Sequence, residues 1–219
     1  MFIVGESNIA LQIMDGLPNQ AVNFYFQNLP KDFFKKIPGV TGEVTFGEPL
    51  SKRYDKKAGF VWLDLIVANS WRVRLDAFSL NTNDKKGNII ADKVFKLGNA
   101  RSVIFDSGSS VIVLPNAMFN EFIQLFGDAV EDVDNPGYYI TSCSNSRRIT
   151  DKLVFTLNGK PFSISAYDLF MPIRPTLDKC SIEVGSTPKD FVILGSPFHR
   201  GFYTSYSYTR RQIGLAKKK

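Results

Sequence analysis

The sequence predicts an all-β protein of packed antiparallel sheets with two short helices. Three observations carry that prediction. Strand-favouring side chains are abundant, with 19 Phe and 8 Tyr among 219 residues, and aromatic and β-branched residues suit a pleated, half-buried surface. Short apolar runs recur, many alternating with period two and bounded by Gly, Pro, Asn or Asp. Two stretches carry helical spacing instead.

The elements follow in chain order. Residues 7–17, "SNIALQIMDGL", predict a short helix: Ser7 or Asn8 caps it, Ile9, Ile13 and Leu17 recur at helical spacing, and Gly16 marks its end. "AVNFYFQ" (21–27) predicts a strand. "LPKDFFKKIPGVTG" predicts a loop, broken by Pro30, Pro38 and Gly39. "EVTFGE" (43–48), "GFVWLDLIV" (59–67) and "WRVRLDAFSL" (71–80) predict three more strands, with Trp71, Val73 and Leu75 on one face of the last. "NTNDKKGN" reads as a turn, and "IIADKVFKLG" resumes the sheet. "PNAMFNEFIQLFGDAV" (115–130) predicts the second helix, opened by Pro115, with Phe119, Phe122, Ile123 and Phe126 on one face. "LVFTLNGKPFSIS" (153–165) predicts a hairpin around Asn158-Gly159. "FVILG" (191–195) predicts a short buried strand, and "GFYTSYSYTRRQIGLA" (201–216) a further one.

Composition narrows the function classes. The chain is 44% hydrophobic and 22% charged, an ordinary globular balance. Its net charge of +6 is scattered or gathered in small groups such as Lys85-Lys86 and Lys217-Lys218-Lys219, so no nucleic-acid surface is expected. No apolar run approaches the ~18 residues of a membrane span. Met1 leads into "FIVGES", too short for a signal peptide and lacking its basic start. Two cysteines and one histidine, His199, do not make a structural zinc set, and no phosphate loop or dinucleotide fingerprint is present. No metal or cofactor is expected. On spacing alone, Cys143 and Cys180 fit either one disulfide or two buried thiols.

One stretch carries chemistry. "VIFDSGSSVIVLP" (103–115) places Asp106-Ser107-Gly108-Ser109-Ser110 between two apolar runs. A carboxylate is costly to bury alone. Gly108 permits a sharp turn that brings backbone N–H groups to it, and the hydroxyls of Ser107 and Ser109 are available as donors. Taken alone, Asp-Ser-Gly fits a polar turn between strands as well as it fits a carboxylate held for acid–base work. His199 with Ser109 or Ser110 would be a competing nucleophilic arrangement, but no nucleophile-elbow pattern surrounds them. A lone histidine is more often a packed or surface residue.

Further motifs match in order. "VIFDSGSSVIVLP", "FYFQ…GEVTFGE…Y" followed by "WRVRLDAFSL", the helix after Pro115, the cysteines flanking "LVFTLNGKPFSISAYDLF", and "FVILGSPFHRGFYTSY…RRQIGLA" together resemble the C-terminal lobe of the pepsin-like aspartic proteases, from about residue 20 to the end. The resemblance implies one lobe of a bilobal acid protease over 21–219, with 1–20 as the tail of the N-terminal lobe. It implies that Asp106 is the second catalytic carboxylate, that Ser107, Gly108 and Ser109 position it, and that Ser110 and the loop backbone meet an extended peptide or protein substrate. It implies that Ile193, Leu194 and Gly195 thread beside the aspartate and that Cys143 and Cys180 form a disulfide. It implies a secreted or an acidic vacuolar or lysosomal location.

The sequence departs from the family in two accents. Ser196 stands where Asp usually follows "ILG", and "SYSYTRRQIG" lacks the usual Phe-Asp pair. The larger departure is the single Asp-Ser/Thr-Gly. Neither Asp15-Gly16 nor Asp128 is a credible second, since both lie in or near predicted helices. Three expectations follow: a fragment completed by a missing N-terminal lobe, a catalytically inactive homologue that binds peptide or protein, or a homodimer pairing two copies of Asp106. The face that meets the other lobe is expected to be apolar, with self-association of this chain alone.

Overall fold

The computed structural model describes residues 9–28, 42–147, 151–173 and 178–219. The proposed caps Ser7 and Asn8 and most of the loop around Pro30 and Pro38 lie outside them.

Helix α1 (Ile9–Ile13) is short and runs into a turn at Gly16, which takes φ 79°, a left-handed conformation that glycine adopts without a steric penalty. It buries Ala10 and Met14 against Val22 and leaves Ile9 and Ile13 exposed. β1 (Ala21–Phe26), β2 (Gly42–Phe46) and β3 (Phe60–Asp64) follow, and then the long β4 (Arg72–Asn83) and its hairpin partner β5 (Ile89–Val94). β4 runs three residues past its expected end, because Asn81, Thr82 and Asn83 pair with β5 before the chain turns at Gly87. β6 (Ser102–Phe105) and β7 (Ile112–Pro115) flank the Asp106 loop. Helix α2 (Asn116–Ile123) stops well before residue 130, with Phe126 still buried in the turns beyond it.

The rest is finer-grained than the sequence reading. β8 (Val130–Glu131), β9 (Tyr139–Ser142), the β10–β11 hairpin (Lys152–Leu157 and Lys160–Ser165), β12 (Phe170–Pro172), β13 (Lys179–Ile182), β14 (Val184–Thr187) and β15 (Val192–Leu194) precede a third short helix, α3 (Ser196–His199). The hairpin turns through Asn158 and Gly159 at φ 48° and 77°, as its sequence signal predicts. Residues 201–216 form two strands rather than one: β16 (Phe202–Ser207) and β17 (Gln212–Lys217) fold back through a turn in which Arg211 takes φ 52°.

Three sheets result among the described residues. One runs β2-β1-β16-β17-β3, a second β11-β10-β4-β6-β15-β7-β14 with β5 on β4, and a third β12-β13-β9-β8. Most pairings are antiparallel, but β15 lies parallel to β6, and β14 parallel to β7. The sheets enclose an aromatic core. Phe78 stacks between Phe95 and Phe155 with centroids 4.7 Å away on each side. Phe155 and Phe105 both meet Phe198 edge-on, which ties the large sheet to α3. Truncating any one of these rings would cost about 3–5 kcal/mol. Cys143 and Cys180 are joined in a disulfide that pins the segment after β9 to β13.

Candidate active site

β15 lies between β6 and β7, so the Asp106 loop that joins those two strands must pass over its end. The register is fixed on both sides. Ile193 pairs with Ile104 of β6 and with Val113 of β7, while Leu194 pairs with Phe105. Continuing that ladder, the Asp106 N–H donates to the Leu194 carbonyl at 3.1 Å. Burial of Val103, Phe105, Ile112, Leu114, Val192 and Leu194 anchors all three strands in the core. The loop thus sits on a rigid base.

Gly195 is the keystone of that base. It is buried, and a Cβ built on it would lie 2.6 Å from the Ser109 carbonyl oxygen and closer still to that of Val111. Only glycine lets the strand pass this close beneath the loop. Ser196 then clasps the loop: its N–H reaches the Ser109 carbonyl at 2.8 Å and its hydroxyl reaches the same oxygen at 3.1 Å.

Asp106 is half-buried at the rim. Its Oδ1 accepts from the Gly108 N–H at 2.9 Å. Gly108 does not make a left-handed turn: its φ is not positive, and a Cβ there would sit tightly against Asp106 Oδ1 at 3.3 Å. The serine hydroxyls depart from expectation. Ser109 donates to the Val111 carbonyl at 2.8 Å, not to the carboxylate, because the loop closes on itself at that point. Among the described residues, neither Ser107 nor Ser110 bonds Asp106, and Ser110 is exposed. The aspartate's visible cage is therefore backbone. Its other oxygen, Oδ2, takes no described hydrogen bond.

His199 and Tyr206 lie beneath this base and were not legible as site residues. His199 is fully buried, with Nδ1 2.9 Å from the Gly195 carbonyl and Nε2 2.7 Å from the Tyr206 hydroxyl. Burial pushes the imidazole down to about 4, partly offset by its bond to Gly195 and by the negative charge of Asp106. It is out of reach of Ser109 as a base, since both ring nitrogens are already engaged. The only signal for the pair was the spacing of His199 and Tyr206 on either side of a predicted strand start. Among the described residues, no cluster of His, Cys, Asp and Glu could hold a metal ion.

With this geometry in place, comparison with known proteins is decisive: the family model for eukaryotic aspartyl proteases matches residues 32–218. The chain belongs to that family. An aspartic protease 17 of Caenorhabditis elegans is 26% identical over 182 residues, covering 81% of this chain and 42% of that protein. Pepsin A of Bos taurus is 28% identical over 180 residues, 79% of this chain and 43% of the enzyme. A vacuolar protease A of Arthroderma otae is 25% identical over 210 residues, 94% of this chain and 46% of its own length. The chain thus spans less than half the length of these relatives. As an aspartyl protease family member, it has the expected mainly-β architecture, and its disulfide joins the two cysteines that the family resemblance singled out.

Proposed function

We propose that this chain is one lobe of an aspartic-type endopeptidase, that Asp106 is one of its two catalytic carboxylates, and that the second comes from an N-terminal lobe. The observation that carries this reading is the Asp106 loop, held by Gly108, seated over Gly195 and clasped by Ser196, with the carboxylate at the rim. Such a loop presents a carboxylate without burying it.

The chemistry calls for a pair. Cleaving a peptide bond requires a base that takes a proton from water and an acid that protonates the carbonyl oxygen or the departing nitrogen. Two carboxylates held close together share one proton, because both cannot ionise at that distance, so one accepts while the other donates. Asp106 alone cannot do both. The substrate is an extended peptide laid across the loop, bound through main-chain hydrogen bonds like an added strand, with Ser110 on the exposed side. The disulfide favours an oxidising compartment, in keeping with a secreted or a vacuolar or lysosomal setting.

The test is complementation. The purified chain is assayed for cleavage of an unfolded protein at acidic pH, alone and with an N-terminal aspartyl protease lobe supplied in trans, and its mass is measured in parallel. Cleavage only in the mixture supports the reading. Cleavage by a dimer of this chain alone would replace it with the pairing of two Asp106 side chains, and peptide binding without any cleavage in the mixture would favour a binding module.

A further inference from the structure

The lone histidine of the chain has a place in this loop that the catalytic chemistry does not use. The Gly195 carbonyl, directly beneath the loop, accepts from the N–H groups of Phe198 at 3.0 Å and His199 at 3.1 Å and faces His199 Nδ1 at 2.9 Å. A carbonyl only accepts, so Nδ1 carries the proton. Nε2 is then a bare lone pair in the neutral ring, and the Tyr206 hydroxyl donates to it at 2.7 Å. Both residues are buried, and the imidazole is walled by Phe26, Phe105, Phe198 and Tyr206.

We propose that His199 is a positioning residue for Asp106: its Nδ1–H holds the Gly195 carbonyl, and through Gly195 and Ser196 the loop that carries the aspartate, while the Tyr206 hydroxyl, donating to Nε2, fixes the ring in place only in its neutral form. The inference rests on the reading of the Asp106 loop as the functional site. Protonation of Nε2 turns that atom from acceptor to donor. The tyrosine must then rotate its proton away from the one described partner it has. A cation there would also be cut off from water, since the ring is fully buried. The charged and titratable groups around the ring are few. Asp106 at the end of β6 acts on it electrostatically, as it does on Tyr206. Arg200, just after α3, is turned to Asp168 and is felt by Glu183, and Lys218, just after β17, donates to the Phe26 carbonyl of β1. Among the described residues, Asp106 is thus the charged group whose field reaches the histidine.

The experiment uses the intact chain and its single histidine, which gives one set of imidazole resonances. Ring carbons and nitrogens are followed by NMR from pH 7.5 to 3 in wild type and in Asp106→Asn, with hydrogen exchange of the Gly108, Ser109 and Ser196 amides read at each pH. The expected result is an Nδ1–H tautomer titrating at about 4, a midpoint that falls further in Asp106→Asn, and amide protection that drops as the ring charges. His199→Asn, which keeps a donor near the Nδ1 position but cannot titrate, should retain protection at all pH values, while His199→Leu should lose it. A midpoint near 6.5, a midpoint indifferent to Asp106→Asn, or loop amides indifferent to His199→Leu would each overturn the proposal. None of these readouts requires proteolysis, so an Asp106 without catalytic function would leave them unchanged and would be revealed by the complementation assay instead.

Discussion

Gly195 and Ser109 approach so closely that a single methyl group would not fit between them: a Cβ on Gly195 would lie 2.6 Å from the Ser109 carbonyl oxygen. The neighbours are backbone atoms of the Asp106 loop, which cannot swing aside as a side chain can. Gly195→Ala should therefore cost about 3 kcal/mol or more and displace the loop. Gly185→Ala is the control, because its Cβ would meet only Val111 Cγ2 at an ordinary 3.7 Å. Urea unfolding of both variants checks the contrast, and equal midpoints would refute it.

The contribution of His199 to stability should fall between near-neutral pH and pH 4. Its folded value is depressed to about 4 from 6.5, so the unfolded chain binds the proton first as pH drops. The neutral ring's contribution is complete above about 6.5 and is lost progressively down to about 4, a total of about 3 kcal/mol. Asp168 and Glu183, raised by burial, work in the opposite direction, losing stability as pH rises above the ordinary carboxylate range. Asp128, held low first by the Thr141 hydroxyl, loses its contribution only at still lower pH. The difference in unfolding free energy between wild type and His199→Leu isolates the histidine. It should narrow by about 3 kcal/mol from pH 7 to pH 4; a flat difference would contradict the burial argument.

The disulfide should be a principal brace of the segment after β9. It closes a separation of 37 residues, for which the chain-entropy model gives ~4 kcal/mol. Cys143→Ser with Cys180→Ser should lower the urea midpoint in non-reducing buffer and abolish the effect of adding reductant to the wild type.

The edge strand β5 should drive self-association. Ile89, Ile90 and Val94 are 60%, 66% and 59% exposed on a strand whose outer side has no partner among the described residues, and exposed apolar edges template pairing with other chains. Ile90→Lys should reduce light scattering at high concentration without changing the unfolding midpoint. Unchanged scattering would direct attention to the exposed Ile9 and Ile13 of α1 or to Val44 and Phe46 of β2.

Local signals made much of this fold legible, and non-local ones did not. Asn158-Gly159 announced its hairpin because those residues tolerate the positive φ the turn requires. The Tyr208–Arg211 turn went unread because it contains no glycine or asparagine, and Arg211 takes φ 52° only because the pairing of β16 with β17 holds it there. The parallel seating of β15 beside β6 joins segments far apart in the chain, and nothing in either segment's periodicity encodes that neighbour. At the candidate site, the family motifs point to the seating of Gly195 beside the Asp106 loop, which the structure shows. The Ser109 hydroxyl serves the Val111 carbonyl rather than the carboxylate, and Ser196, a departure from the family pattern, clasps the loop. His199 is the packed residue that a lone histidine suggests; its partner Tyr206, brought to it by the packing of α3 on β16, has no local signal.

Asp106 is proposed to supply half of an acid–base pair. The most direct measurement is the initial rate of peptide cleavage at acidic pH by the chain complemented with an N-terminal lobe, compared between wild type and Asp106→Asn at matched folding. A loss of at least about 10³-fold is expected, since the amide is nearly isosteric yet can neither take nor hold the shared proton. Cleavage surviving in Asp106→Asn at near the wild-type rate would contradict it.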